Sequence, residues 1–351
     1  MTFLSFLLNL VHFALRSKAD AKPEPPKITP PLLEFPVDII LTISDHLPAE
    51  DKICLALTCK ALFSVLGTKS DNTQLNLTNK GALLERLEKD VPGVCYCCFC
   101  NKLIPFTQYG LHWRHVDRSI YGPISETSRP ISFDCSLHFV HYNSARLVTN
   151  YGILGPRHGL PPSYLSYKFP GQTKHYGNQY RQLHFRGNDY TFFYHERPLF
   201  RHCVLRFESW EAKLVGAELF LSATHRWVHP EADNQALQDY LACKYLKVCK
   251  HATVSAASLS SVNLPPINRR LPGEADYHCA GSCKFCLTDW DASIEWISPA
   301  YGWMVTVTTY HDFGNCRSPS HWKWQAIATE LRDTKNRDKP SGAVKSGWLE
   351  G

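Results

Sequence analysis

The chain lacks any apolar run long enough to span a bilayer, and no charge sign dominates it. Its 38 Lys and Arg stand against 32 Asp and Glu, a net charge of +6 over 351 residues. No Arg/Lys-rich run with interleaved aromatics occurs, so nothing indicates a nucleic-acid partner. Common catalytic signatures are missing: no G-x-S-x-G elbow, no Walker loop, no G-x-G-x-x-G and no H-E-x-x-H. His195-Glu196 is followed by Leu199 where a second His would be needed. His138 and His141 lie three apart in a strand-like segment, which puts them on opposite faces. No internal repeat with the period of about 20–45 residues of a solenoid or propeller is visible. What remains is a binding protein, or an enzyme without a readable signature.

Present in quantity are apolar residues (44%), nine Trp, sixteen Tyr and fourteen Cys. The apolar fraction is ample for a packed core. The cysteine placement argues against a disulfide scaffold, because Cys95, Cys97, Cys98 and Cys100 crowd into one short stretch. A reducing, intracellular setting, cytoplasmic or nuclear, is expected. In that setting the triplet Asn76-Leu77-Thr78 carries no weight as a glycosylation sequon. Phe3 to Leu15 is nearly all apolar and Ala19-Asp20-Ala21 mimics a cleavage site, but no Lys or Arg precedes the run. We therefore read residues 1–30 as an amphiphilic helix followed by a Pro-rich linker.

Residues Leu32 to Gly67 carry the strongest local signal. Pro36 suits a helix start, Asp38 favours the first turn, and Ile40, Ile43 and Leu47 recur at helical spacing before Pro48 stops the helix. Glu50 and Asp51 open a second helix carrying Ile53 and Leu57. Thr58 can cap a third that runs through Leu62 to Gly67. A block this short cannot enclose a core of its own. Ile39, Ile40, Leu41 and Ile43 together exceed one buried stripe, so the rest of the chain or another protein must cover the surplus.

In order and spacing the block resembles an F-box, the motif that hangs a substrate receptor on the Skp-type adaptor of cullin–RING ubiquitin ligases. The matching positions are Phe35-Pro36, Asp38, Ile39, Ile40, Ile43, Leu47-Pro48, Ile53, Leu57, Cys59-Lys60 and Leu62, with Phe35 in place of the usual Leu. The resemblance implies that Phe35, Pro36, Ile39, Ile40, Ile43, Leu47, Ile53, Leu57 and Leu62 present an apolar face to the adaptor. It also implies a cullin reached through that adaptor, an unidentified protein substrate and no catalysis by the chain itself.

Two C-x-x-C pairs, Cys97/Cys100 and Cys283/Cys286, could supply the four thiolates of a structural zinc site. They are separated by about 180 residues, far more than in a compact zinc ribbon. Cys249-Lys250-His251 competes to join Cys283 and Cys286. The alternative is that all of these are buried free cysteines. The two pairs, the Thr288-Asp289 that follows the second, and the run Trp303 to Gly314 are similar to the C-terminal part of many fungal F-box proteins.

The expected fold class is α+β, a small three-helix module over 31–70 followed by a larger mixed domain over 71–340. A disordered tail over 341–351 would end the chain. Met304 to Thr308 reads as a strand, Glu211 to Leu221 and Gln235 to Val248 as helices, Ala252 to Arg270 as a long loop, and Trp324 to Arg337 as a charged terminal helix. Two further readings stay open: a metal-dependent domain or enzyme in which the first helices are only structural, and an F-box protein that works in an adaptor-only complex.

Overall fold

The computed structural model describes residues 31–70, 76–107, 110–111, 131–132, 139–174, 182–185, 188–191, 204–229, 232–243, 246–255, 262–329 and 339–351. Residues 1–30, His138, His195, Glu196, Leu199 and 330–338 of the expected terminal helix lie outside them. The architecture is mixed α+β, helices first and a sheet-rich region after. The chain divides into two compact units, Met1–His115 with Leu154–Leu160, and Val116–Ile153 with Pro161–Gly351.

The first unit contains the three expected helices, α1 (Val37–Asp45), α2 (Ala49–Leu57) and α3 (Lys60–Ser70). Pro36 sits just before α1, and its carbonyl accepts the N–H of Ile39 at 3.0 Å and of Ile40 at 3.3 Å. Thr58 does not cap α3. It closes α2, with both its N–H and its hydroxyl on the Leu55 carbonyl. Cys59 takes the capping place, its sulfur accepting the Leu62 N–H at 3.5 Å. Nor does α3 stop at Gly67. The helix runs on to Ser70, and Gly67 leaves room for the Phe63 ring, 3.3 Å from where a Cβ would stand.

The expected boundary at residue 70 does not hold. Helix α4 (Leu77–Asp90), capped by Asn76 through the Asn79 N–H at 2.7 Å, packs Leu83, Leu84 and Leu87 against Ile53 of α2. The same cluster takes in Val94 and Tyr96 of β1 (Val94–Cys97) and Leu103 of β2 (Lys102–Thr107). β3 (Gly110–Leu111) completes a three-stranded sheet. The three-helix block is thus stabilised by a fourth helix and a small sheet, as its size requires.

The second unit is built on a six-stranded antiparallel sheet. In the second unit, β4 (Ile131–Ser132) and β5 (Phe139–Val140) form a pair ahead of α5 (Tyr142–Leu154). The strands that follow are β6 (Tyr167–Lys174), a separate pair β7 (Gln182–Phe185) and β8 (Asn188–Thr191), then β9 (Val204–Val215) and β10 (Glu218–Val228). After helix α6 (Asn234–Cys243) a small sheet is made by β11 (Leu246–Lys247), β12 (Thr253–Ser255) and β13 (Val262–Asn263). β14 (Tyr277–Ser282), β15 (Thr288–Ser298) and β16 (Gly302–Gly314) complete the large sheet in the order β14-β15-β16-β10-β9-β6. Helices α7 (Trp322–Ala328) and α8 (Ala343–Glu350) close the chain.

One face of this sheet carries the core. Trp227, Trp290, Ile294, Trp303, Val305 and Val307 meet Leu237 and Leu241 of α6 and Val248, Val254 and Ile267 from the small sheet and its flanks. The opposite face is closed at one end by α8, where Val344 and Trp348 pack on Phe220, Leu287 and Tyr310.

Three sequence expectations are overturned here. Glu211 to Leu221 is a β-hairpin, not a helix. Its composition favours a helix, but Trp210 and Ala212 are buried while Glu211 between them is exposed, a period of two, and Gly216 at φ +61° makes the two-residue turn. The loop over 252–270 contains β12 and β13. The tail over 341–351 is not disordered. It forms α8, whose first N–H groups at Val344 and Lys345 donate to the buried Asp289 carboxylate at 2.8 and 2.9 Å.

Candidate functional site

Two features gather chemistry, one in each unit. In the first, the short helices divide their apolar residues between inside and outside. Ile40, Ala56, Leu62 and Leu66 form a core cluster, and Ile53 joins the one made by α4. Phe35, Val37, Ile39 and Ile43 remain 51, 50, 45 and 42% exposed. Ile39 and Ile43 are four residues apart and fall in one line along α1, while Phe35 stands just before the helix. Pro36 is exposed beside them, and Leu47 and Leu57 are half-buried. The nine residues expected to form one apolar face therefore split. Ile40, Ile53 and Leu62 are core residues, because a helix of three turns cannot present all its aliphatics outward and still pack. Val37, absent from the expected set, is exposed as well, on another side of α1.

In the second unit two hairpin tips meet. The turn between β11 and β12 supplies Cys249 and His251, held by Val248 and Cys249 N–H bonds to the Ala252 carbonyl at 3.0 and 3.3 Å. The turn between β14 and β15 supplies Cys283 and Cys286, held by Cys283 N–H to the Thr288 carbonyl at 2.8 Å and Thr288 N–H to the Cys286 carbonyl at 2.9 Å. The ligating atoms of these four residues all lie within 4.8 Å of one another. A tetrahedral zinc ion would space its thiolate and imidazole donors about 3.6–3.8 Å apart, and Cys249 Sγ and His251 Nδ1 are 3.9 Å apart. The Phe285 N–H donates to Cys283 Sγ at 3.3 Å and the His251 N–H to Cys249 Sγ at 3.4 Å, bonds that suit sulfurs carrying negative charge.

The thiols are coupled. The Cys283 thiol is held well below its ordinary range, first by hydrogen bonds from Cys249 and Cys286 and then by one from His251. Sharing with Cys283 pushes Cys249 up to about 12, with burial adding to it. Cys286 is pushed up by Cys249 and Cys283, and burial adds again. Without a cation, one negative charge is all that so small and buried a group accommodates. A divalent ion would let all three thiols ionise and would release the remaining protons. Three soft sulfurs and an imidazole fit zinc, and four protein donors leave no open coordination position.

The expected pairing of knuckles is corrected accordingly. Cys283 and Cys286 find their partners in Cys249 and His251, and Cys97 and Cys100 do not enter the group. Cys97 ends β1, and Cys100 stands in the turn that Asn101 completes at φ +49°. The Cys100 thiol is raised far above its usual range, first by its hydrogen bond with Cys97. Among the described residues, no third Cys, His, Asp or Glu joins them. Cys279 lies on β14, half-buried against the sheet core.

Sequence reasoning missed the layer behind the cluster. Cys286 Sγ lies 3.2 Å from Thr288 Oγ1, which lies 3.0 Å from His311 Nδ1; His311 Nε2 lies 2.9 Å from Thr309 Oγ1. Thr288, His311 and Thr309 are all buried. The only sequence sign was the alternation that carries Thr309 and His311 inward along β16. Among the described residues, no helix is long and apolar enough to cross a membrane. Comparison of the chain with protein-family models, with curated proteins and with solved structures returns no match.

Proposed function

We propose that this chain is the substrate receptor of a Skp–cullin–F-box ubiquitin ligase, with α1 docking on the Skp-type adaptor and the sheet-rich unit holding the substrate. The observation that carries this reading is the exposure of Phe35, Val37, Ile39 and Ile43, at and just before α1, on a module whose own core is already filled by Ile40, Ala56, Leu62 and Leu66. An apolar surface of this kind on a short helix is what a helix-in-groove partner covers. The receptor has no catalytic step of its own. It raises the local concentration of substrate beside the ubiquitin-loading machinery, so its contribution to rate is proximity. The proposed setting is a reducing compartment, cytoplasmic or nuclear, where thiols stay reduced.

The cofactor of this reading is one structural zinc ion on Cys249, His251, Cys283 and Cys286. Bound there, it would join the β11–β12 turn to the β14–β15 turn and neutralise the buried thiolates. A closed donor set favours this structural role over a metal-dependent enzyme, which keeps one position free. The test is co-purification of the full chain with a Skp-type adaptor and a cullin. Recovery of both supports a ligase receptor, recovery of the adaptor alone supports an adaptor-only complex, and recovery of neither removes the receptor reading.

A further inference from the structure

Behind the cysteine cluster runs a chain of four hydrogen bonds with no water-exposed member: Cys286 Sγ, Thr288 Oγ1, His311 and Thr309 Oγ1, ending 3.4 Å from the Ala223 carbonyl. Every middle member can either donate or accept at each of its contacts. A hydroxyl has one proton to give, and a neutral imidazole has one N–H and one bare nitrogen. Burial holds His311 neutral, its pKa lowered to about 3, with the His225 side adding to the effect and Cys283 opposing it. With one proton per link, the chain has two complete arrangements that run in opposite directions.

Cys286 decides which one is used. Its S–H, when present, is shared with Cys283, so its sulfur faces Thr288 as an acceptor. A metal-bound Cys286 has lost its proton and can only accept. Thr288 must then donate to the sulfur and accept from His311 Nδ1–H, which leaves Nε2 bare to accept the Thr309 hydroxyl.

We infer that Thr288 and His311 are positioning residues of the metal centre, and that His311 is the Nδ1–H tautomer when Cys286 is metal-bound. The inference rests on the metal reading of the four-residue cluster. In the bound arrangement Thr288 gives Cys286 a hydroxyl donor that fixes the direction of the sulfur, and His311 fixes Thr288. Partners of this kind beyond the ligands are typically worth about 10–100-fold in metal affinity.

The experiment uses the full chain with histidine labelled by nitrogen-15, loaded with Zn²⁺ and counted for metal, and assigned through His311→Gln. The expected spectrum shows the loaded His311 protonated on Nδ1. A loaded protein with one zinc and His311 protonated on Nε2 overturns the inference and leaves the metal reading intact. A zinc count near zero removes the metal reading itself. The second arm is chelator competition for Zn²⁺ and the sulfur-to-metal absorption band of the Co²⁺-loaded chain. Thr288→Val should weaken binding about tenfold or more and shift that band, while Thr288→Ser, which keeps the hydroxyl, should restore both. Equal affinity and equal spectra for the Val and Ser variants would refute the role given to Thr288.

Discussion

Replacing Ile39 and Ile43 together by Ala removes apolar surface that the fold itself does not use. Fully burying an Ile is worth about 1.5–3 kcal/mol. These two are 45 and 42% exposed, so a covering partner gains roughly 1 kcal/mol from each, or about 2 kcal/mol for the pair. That corresponds to about a 30-fold rise in Kd for the Skp-type adaptor. Folding should hardly respond, since exposed substitutions away from special features usually stay within about 0.5 kcal/mol. Ile40→Ala is the contrast. Ile40 is 4% exposed and belongs to the module core, so its truncation should cost about 2–5 kcal/mol of stability and affect binding only through unfolding. The assay is titration calorimetry with the purified adaptor beside thermal melts of each full-length variant. An Ile39→Ala/Ile43→Ala protein with unchanged melting and a Kd within threefold of the parent would refute the docking face.

The metal centre gives a count. Purified chain should carry close to one zinc, lost in Cys283→Ser and retained in Cys97→Ser/Cys100→Ser; loss of zinc from the latter would restore the pairing of the two knuckles. His311 gives a pH dependence. Its folded pKa lies near 3 and its ordinary value is 6.5, so as pH falls below 6.5 the unfolded chain takes up a proton that the native state refuses. Stability should fall by up to about 1.4 kcal/mol per pH unit in excess of any fall seen in His311→Gln. Parallel profiles for the two proteins would show that His311 is not the buried neutral group described. Trp348 gives a stability test of α8. It is buried against Phe220 and Tyr310, and Trp348→Ala should cost about 3–5 kcal/mol in denaturant unfolding. A cost below about 0.5 kcal/mol, the level of a surface substitution, would mean that α8 is only laid on the sheet.

Where local pattern decides structure, the sequence was legible. The helices α1 and α2 begin where Pro36 and Glu50-Asp51 place them, and the alternation of Met304 to Thr308 does lie in a strand, β16. Where a distant partner decides, it was not. Leu83, Leu84 and Leu87 read as an isolated short helix, yet their partner Ile53 makes them part of the first unit. Glu211 to Leu221 has helix-favouring residues, and only the pairing of its two arms with each other, and of the second arm with β16, makes it a hairpin. The polar end of the chain looked featureless because Val344 and Trp348 are too few for a pattern, while the carboxylate that accepts the Val344 and Lys345 N–H groups, Asp289, lies far upstream. The same holds at the metal centre. Cys283-x-x-Cys286 and Cys249-x-His251 were both visible as short-range pairs, but choosing between Cys249 and Cys97 as a partner needed the topology that brings two turns together.

The middle of the large sheet is a seam between β10 and β16, segments that lie far apart in the chain. During synthesis β9 and β10 emerge before β16, so one edge of β10 stays unpaired until β16 leaves the ribosome. Pairings between such distant segments form slowly and leave unpaired strand edges open meanwhile. A nascent chain of this kind has a long interval in which to stick to its neighbours, so its yield in a cell should respond to chaperone supply and to translation speed through residues 229–302 more than to its final stability.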